Sequence, residues 1–166
     1  MNNKKIVFVM DIDGVLTDGS FLYDVNGKAY KKFGPDDADA LKLIKSDVEI
    51  KFVSADHRGF EISKRRIEDM GYKLDFVKAK DRTTWIQENF PKDEWIQIYM
   101  GDSFVDIPVL NSVDIAIVPK NANNLAKDYA SYISSYNGGD RAVSDAVFYI
   151  LNTVLKRDIN EVINSL

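Results

Sequence analysis

Apolar segments rich in β-branched residues alternate along the chain with stretches of helical periodicity. This alternation is typical of βαβ units, in which helices connect parallel strands, and it predicts an α/β fold with a Rossmann-like, doubly wound parallel sheet. The predicted strands cover residues 5–10, 48–53, 95–100 and 114–118, with shorter candidates at 73–77 and 132–134. The predicted helices cover residues 39–46, 59–70, 82–90, 104–112, 123–129 and about 141–156.

A short segment directly after the first strand breaks this alternation. Residues 20–33 form two β-like runs around Asn26-Gly27, a dipeptide typical of tight hairpin turns. The insertion is too short to be a domain of its own, and the 166 residues contain no linker, repeat or low-complexity tract. We therefore expect one domain over residues 1–166, with a β-hairpin inserted at 20–33.

The side chains available for chemistry are restricted. The chain has no cysteine, which excludes a thiol nucleophile, a disulfide framework and a Cys-ligated metal, and its only histidine is His57. Carboxylates must then carry most of any catalysis, and the sequence contains 20 Asp but only 6 Glu. The net charge of −4 disfavours a nucleic-acid partner, and no apolar run is long enough for a signal peptide or a membrane span. We expect a cytoplasmic protein.

Two of the predicted strands end in pairs of aspartates. Asp11 and Asp13 follow the first strand, and Asp102 and Asp106 follow the strand at 95–100. The carboxyl ends of parallel strands meet at one edge of a sheet, so these four carboxylates are expected to converge there. Like charges this close require a cation, and oxygen ligands suit Mg²⁺. An isolated Asp-x-Asp-Gly is as often a polar turn as a site, and the second pair favours the metal site.

These motifs resemble those of a known superfamily. The Asp-x-Asp-Gly motif at 11–14, the serine at position 54 and the Gly-Asp-x-x-x-Asp motif at 101–106 are similar to motifs of the haloacid dehalogenase-like hydrolases, most of which are Mg²⁺-dependent phosphatases. Over nearly its whole length the chain resembles the small subgroup without a cap domain. That subgroup is typified by 3-deoxy-D-manno-octulosonate 8-phosphate phosphatase and includes the C-terminal domain of some acylneuraminate cytidylyltransferases. The narrower likeness rests on the stretches DIDGVLTDG, YDVNGKAYKKF and NGGDRAV.

The resemblance implies a role for each of the four aspartates. Asp11 would be the nucleophile that forms an aspartyl-phosphate intermediate, and Asp13 would be the general acid and then the base. Mg²⁺ would be bound by Asp11, by the backbone carbonyl of Asp13 and by Asp102, with Asp106 at or beside the ion. The metal is needed because an anionic nucleophile must approach an anionic phosphate.

The resemblance also implies groups that bind the phosphate. Ser54 matches the serine or threonine that hydrogen-bonds a phosphate oxygen in the family. A cation is expected opposite the aspartates, usually a lysine near the start of a helix. Arg82 is in register with that lysine, whereas Lys80 lies two residues earlier. Register favours Arg82, and both residues remain candidates.

The stretch after the second strand departs from the subgroup. Where the subgroup has Thr-Gly-Arg or Thr-Gly-Glu, this chain has Ser54-Ala55-Asp56, and the third position is associated with substrate selection. We expect Asp56 to repel a sugar-acid carboxylate, which argues against an octulosonate substrate. Arg58 is a candidate for contact with a substrate carboxylate, and His57 is expected to be an exposed loop residue.

Two segments bear on assembly. In the subgroup the corresponding hairpins associate into a homotetramer whose subunits complete each other's pockets. The hairpin aromatics are therefore candidate interface residues, with packing on their own domain as the alternative: Phe21, Tyr23, Tyr30 and Phe33. The stretch at 138–141, Gly-Gly-Asp-Arg, resembles a segment that closes over the site, often that of a neighbouring subunit, and it is equally well a simple turn.

The sequence thus predicts a Mg²⁺-dependent phosphomonoesterase acting on a small phosphorylated sugar or sugar acid, of the 3-deoxy-octulosonate 8-phosphate or nonulosonate 9-phosphate type. The alternative is a non-catalytic or weakly active oligomeric module that retains the metal-binding aspartates. A receiver-like domain phosphorylated for signalling is disfavoured, because Asp13 supplies an acid/base that would make the phosphoenzyme short-lived.

Overall fold

A computed structural model describes residues 4–164 of the chain. Its strands are β1 (Lys5–Asp11), β2 (Leu22–Asp24), β3 (Gly27–Tyr30), β4 (Glu49–Ser54), β5 (Leu74–Phe76), β6 (Trp95–Met100), β7 (Ile115–Val118) and β8 (Tyr132–Ile133). Its helices are α1 (Asp37–Lys42), α2 (Phe60–Asp69), α3 (Arg82–Asn89), α4 (Ile107–Leu110), α5 (Asn124–Lys127), α6 (Ala142–Thr153) and α7 (Ile159–Asn164). None of these helices is long and apolar enough to cross a membrane.

Six of the strands form one parallel sheet in the order β5-β4-β1-β6-β7-β8. Strand β1 is central and pairs in parallel with β4 on one side and β6 on the other. Its side chains are apolar on both faces: Phe8 and Met10 pack in the same cluster as residues of α1 and α6, whereas Val7 and Val9 pack with residues of α3, α4 and α5. The predicted Rossmann-like, doubly wound α/β fold is confirmed.

The observed helices depart from the predicted ones near β6 and at the end of the chain. The predicted helix at 104–112 is a 3₁₀ turn, Phe104–Asp106, followed by the four-residue helix α4. The turn is closed by a capping box, in which Ser103 accepts from the N–H of Val105 and Asp106 accepts from the N–H of Ser103. Helix α7 was not predicted, because its six residues are too few to show a helical period. Its apolar residues Ile159 and Val162 are half-buried and pack against the core.

The predicted hairpin is present as β2 and β3, and its aromatic residues divide between two environments. An isolated antiparallel bridge between Thr17 and Phe33 ties the hairpin back to the chain, and Phe33 packs against the core of its own domain. Phe21, Tyr23 and Tyr30 are exposed, and Val25 at the turn has a relative exposure of 102%. The hairpin thus presents an apolar outer surface.

The glycine pair before α6 packs against the loop that follows β1 in the same chain. A Cβ at Gly138 would overlap the carbonyl group of Gly14, and a Cβ at Gly139 would overlap the backbone of Asp18. The N–H of Gly139 donates to the carbonyl of Val15 at 3.0 Å. Only glycine permits this approach, so the turn fixes the start of α6 against the loop after the central strand.

The start of α6 is capped by a side chain from another helix. Its own N-cap residue, Arg141, has a left-handed backbone and makes no side-chain cap. Instead, the buried carboxylate of Asp37 accepts from the N–H of Ser144 at 2.9 Å. Burial raises the pKa of Asp37 to about 6, although the Ser144 hydrogen bond acts in the opposite direction.

This raised pKa predicts a pH-dependent stability that Asp37→Asn removes. The folded chain holds the Asp37 proton more tightly than the unfolded chain, whose value is 3.8. As the pH falls from about 7 to 4, the free energy of unfolding of the wild type should therefore rise relative to Asp37→Asn, by on the order of 2 kcal/mol. Urea unfolding at a series of pH values measures the difference. A matched control is Asp39→Asn, at an exposed position two residues on, and a pH-independent difference for Asp37→Asn would contradict the linkage.

Candidate active site

Three carboxylates meet at the carboxyl edge of the sheet. Asp11 is the last residue of β1, and Asp102 and Asp106 follow the neighbouring strand β6. One oxygen from each lies within 4.8 Å of one from the others. The structure therefore brings together the aspartates from both motifs, at the edge where ligands bind in open parallel sheets.

The loops carrying these carboxylates approach each other closely because of a glycine. Gly14 has a φ of +83°, and a Cβ at this position would overlap the carboxylate of Asp102. A side chain at residue 14 would force the two loops apart.

Burial perturbs the ionisation of two of these carboxylates, Asp11 and Asp102. Burial raises the pKa of Asp11 to about 7, with Arg82 opposing the shift and Asp106 adding to it. Burial also raises the pKa of Asp102 to about 7, and the charges of Asp11 and Asp106 add to the effect. A cation bound among them would relieve this repulsion, and an all-oxygen donor set suits a hard divalent ion. The residues present therefore fit a divalent metal.

The two oxygens of Asp106 are already engaged by protein groups. Oδ2 accepts from the backbone N–H groups of Asp102 and Ser103 at 3.2 and 3.0 Å, and Oδ1 accepts from Tyr99 and Arg82. Asp106 thus holds the loop after β6 in place behind the cluster. Each oxygen of Asp11 accepts one such hydrogen bond where each oxygen of Asp106 accepts two, so Asp11 keeps more lone pairs for an ion.

Arg82 supplies the cation that the sequence placed opposite the aspartates. It begins α3, is buried, and donates from Nη1 to Asp11 Oδ2 at 2.8 Å, to Tyr99 Oη at 2.8 Å and to Asp106 Oδ1. Within residues 4–164, its buried Nε makes no hydrogen bond. Lys80 is exposed on the 3₁₀ turn that precedes α3, and its ammonium makes no ion pair within the same range. The geometry brings Arg82, and not Lys80, to the carboxylates.

Tyr99 belongs to the same cluster and was missed by the sequence analysis. Its side chain is fully buried on β6, where it appears as one residue of an apolar run. Its hydroxyl accepts from Arg82 Nη1 and donates to Asp106 Oδ1, each at 2.8 Å. The sequence did contain one signal for it: a tyrosine in a buried strand needs a polar partner for its hydroxyl.

Ser54 lies one strand away from Asp11 at the same edge of the sheet. It ends β4, is fully buried, and its Oγ accepts from the N–H of Asp56 at 3.2 Å. Its hydroxyl proton finds no acceptor among the residues that the structure describes. A free donor at this edge is suited to an anionic ligand.

Asp56 is not the isolated negative charge that the sequence suggested. Its Oδ2 lies 2.6 Å from Nζ of Lys28 and 2.8 Å from Nζ of Lys31, both from the hairpin. Burial raises the pKa of Asp56, but the hydrogen bonds from the two lysines outweigh it and lower the value to about 2. The expectation that Asp56 repels a substrate carboxylate is therefore wrong, because two ammonium groups neutralise the charge of Asp56.

The other candidates near the site differ in their surroundings. His57 and Arg58 are exposed in the loop between β4 and α2, and Arg58 forms no ion pair in the described part of the chain. Asp13 lies at the cluster's rim, and Nζ of Lys31 donates to its Oδ2 at 3.0 Å. Sequence reasoning missed Lys31, since a lysine in a hairpin ordinarily indicates a solvated surface.

The chain is similar in sequence to a known phosphatase. No family model matches the chain. It is 30% identical over 164 residues to the 3-deoxy-D-manno-octulosonate 8-phosphate phosphatase KdsC of Haemophilus influenzae, covering 96% of this chain and 89% of that protein.

Solved structures give the same likeness. The cobalt-bound form of the deoxy-D-mannose-octulosonate 8-phosphate phosphatase of Haemophilus influenzae superposes with a TM-score of 0.80 at 27% identity, over 98% of both chains. The corresponding phosphatase of Moraxella catarrhalis, in complex with a magnesium ion, a phosphate ion and KDO, has a TM-score of 0.81 at 20% identity, over 99% of this chain and 94% of that one. The second likeness is one of fold.

The buried position of Arg82 predicts a large stability difference between two substitutions. Arg82→Met leaves two buried carboxylates without their cation and should lower the free energy of unfolding by about 3 to 5 kcal/mol. Lys80→Met, at an exposed position two residues earlier, is the matched control and should change it by less than about 0.5 kcal/mol. Urea unfolding in the presence of a chelator measures both. Equal losses would contradict the assignment of Arg82 as the buried cation.

Proposed function

The chain belongs to the KdsC-like family of haloacid dehalogenase-type hydrolases, and we propose that it is a metal-dependent phosphatase that hydrolyses the phosphate monoester of a small sugar or sugar acid. The observation that carries the proposal is the buried guanidinium of Arg82 bonded to Asp11 beside Asp102 and Asp106. This cluster combines a carboxylate nucleophile, a fixed cation and the donors of a divalent ion at one sheet edge.

Asp11 is the proposed nucleophile. Its Oδ1 accepts from the N–H of Ile12 at 2.8 Å and its Oδ2 from Arg82, so its orientation is fixed by two donors. An oxygen of Asp11 attacks phosphorus, the P–O bond to the sugar breaks, and the departing oxygen takes a proton from Asp13. Water then attacks the aspartyl-phosphate, Asp13 accepts a proton from that water, and phosphate leaves.

The proposed phosphate-binding groups are two side chains at the same edge of the sheet. The guanidinium of Arg82, together with the hydroxyl of Ser54, is proposed to contact the phosphate oxygens. Asp11, Asp102 and the backbone of Asp13, supported by Asp106, would hold Mg²⁺, which neutralises charge as the anionic nucleophile meets the anionic phosphate. The cobalt found in the Haemophilus relative supports a divalent ion.

The substrate class follows from the relatives and from the hairpin lysines. The proposed substrates are phosphorylated sugar acids of the 3-deoxy-octulosonate 8-phosphate or nonulosonate 9-phosphate type, because the KdsC of Haemophilus influenzae is named for the former. The pairing of Asp56 with Lys28 and Lys31 removes the electrostatic objection to a carboxylate-bearing substrate.

Replacement of the nucleophile provides the direct test. With Mg²⁺ present, the wild-type protein should release phosphate from a panel of sugar and sugar-acid phosphates, and Asp11→Asn should lower kcat by at least about a thousandfold without unfolding the chain. A chelator should abolish wild-type turnover. Phosphate release that survives in Asp11→Asn would remove Asp11 as nucleophile, and Mg²⁺ binding without turnover across the panel would favour the non-catalytic module.

The exposed apolar surface of the hairpin supports a second proposal, a homotetramer. Leu22, Tyr23, Val25 and Tyr30 expose large apolar side chains on one small element. A monomer would gain nothing from such a surface, whereas association of several copies would bury it.

Light scattering after gel filtration tests this assembly. The wild type should elute at four times the chain mass of 18.8 kDa. The double variant Tyr23→Ser and Val25→Ser should dissociate, because it removes apolar contact area at the hairpin turn. Tyr129→Ser, at an exposed position outside the hairpin, is the control and should leave the mass unchanged. A monomeric wild type would contradict the proposal.

A further inference from the structure

Lys31 places a buried ammonium group beside Asp13. It directly follows β3 at the foot of the hairpin, and its side chain is 0% exposed. Nζ lies 2.8 Å from Asp13 Oδ1 and donates to Oδ2 at 3.0 Å, so both carboxylate oxygens face it. Nζ also lies 2.8 Å from Ser63 Oγ and 2.8 Å from Asp56 Oδ2.

The position of this ammonium is set by its other partners. Ser63 comes from α2 and Asp56 from the loop after β4, so two separate segments hold Nζ. Lys28 shares Asp56, and Gly59 allows this approach, because a Cβ there would press on Asp56 and on both lysine chains. Asp13, the partner on the loop after β1, keeps 19% of its side chain exposed. A fixed ammonium therefore meets a carboxylate at the mouth of the site.

We propose that Lys31 is a positioning residue that fixes the carboxylate of Asp13 for proton transfer to the leaving group, a role that rests on the function proposed above. Contact with both oxygens restricts rotation of the Asp13 side chain, and correct orientation is a large part of acid catalysis. Lys31 acts through Asp13 and does not contact the reacting atoms.

This role has a consequence that depends on the leaving group. In the first step a bond forms between an Asp11 oxygen and phosphorus, the ester P–O bond breaks, and the Asp13 proton moves to the departing oxygen. A strongly basic leaving oxygen needs that proton, whereas 4-nitrophenolate departs without much assistance. Loss of the Asp13 orientation should therefore harm esters of weakly acidic alcohols more than esters of acidic ones.

The test compares two aryl esters of similar size, phenyl phosphate and 4-nitrophenyl phosphate, with Mg²⁺ present. In Lys31→Met, kcat/KM should fall more for phenyl phosphate, so that the ratio of the 4-nitrophenyl to the phenyl value rises about tenfold over that of the wild type. Lys31→Arg keeps the charge and should restore most of the wild-type ratio. The control Lys32→Met replaces a neighbour that is 75% exposed, with Nζ 3.9 Å from Asp18, and should leave the ratio unchanged.

The outcomes separate the two proposals. A wild type that hydrolyses both esters, together with equal losses for both in Lys31→Met, overturns the positioning role and leaves the phosphatase in place. A wild type without activity on these esters or on any sugar phosphate overturns the proposed function, and the role of Lys31 with it. If Lys31→Met does not fold, Ser63→Ala carries the same test, because it removes one oxygen that holds Nζ, and its ratio should rise about twofold to threefold.

Discussion

The arrangement at the carboxyl edge depends on one buried cation. Nη1 of Arg82 touches Asp11 from the central strand, and Asp106 and Tyr99 from the neighbouring strand and its following loop. Without it, desolvated carboxylates would face one another in a low-dielectric environment, where they would take up protons or move apart. The guanidinium allows β1 and β6 to be adjacent while both end in acids. Because Arg82 is the first residue of α3, the position of this helix determines where the guanidinium meets the carboxylates.

The hairpin contributes to this edge through its inner side. Its lysines Lys28 and Lys31 turn inward toward Asp56 and Asp13. Most of its apolar side chains are exposed: Leu22, Tyr23, Val25 and Tyr30. The same short insertion therefore supplies buried positive charge to the loops around the site and carries an exposed apolar surface. A shift of the hairpin would therefore move the ammonium groups of Lys28 and Lys31 relative to Asp56 and Asp13.

The sheet and the two pairs of aspartates could be predicted from the sequence, because they depend on local patterns. Apolar periodicity identified the strands, and the strand ends located Asp11 and Asp102. Periodicity indicates which face of a strand or helix is buried, but not which side chains will contact each other. The contacts of Tyr99 with Asp106 and of Lys31 with Asp13 were therefore missed. Asp56 was misjudged for the same reason, because its lysine partners lie far away in sequence. Helix α7 was not predicted because six residues are too few to show a helical period, although Ile159 and Val162 pack against the core.

The turn at Gly138 and Gly139 has a consequence for the order of folding. It packs against the loop after β1, so residues from the beginning and the end of the chain are in backbone contact. Such contacts close a long loop and are expected to form late, and during synthesis this backbone contact becomes available only after Gly138 and Gly139 have emerged. Asp11 is therefore among the first residues made, whereas the last backbone contact of the loop that follows it forms late.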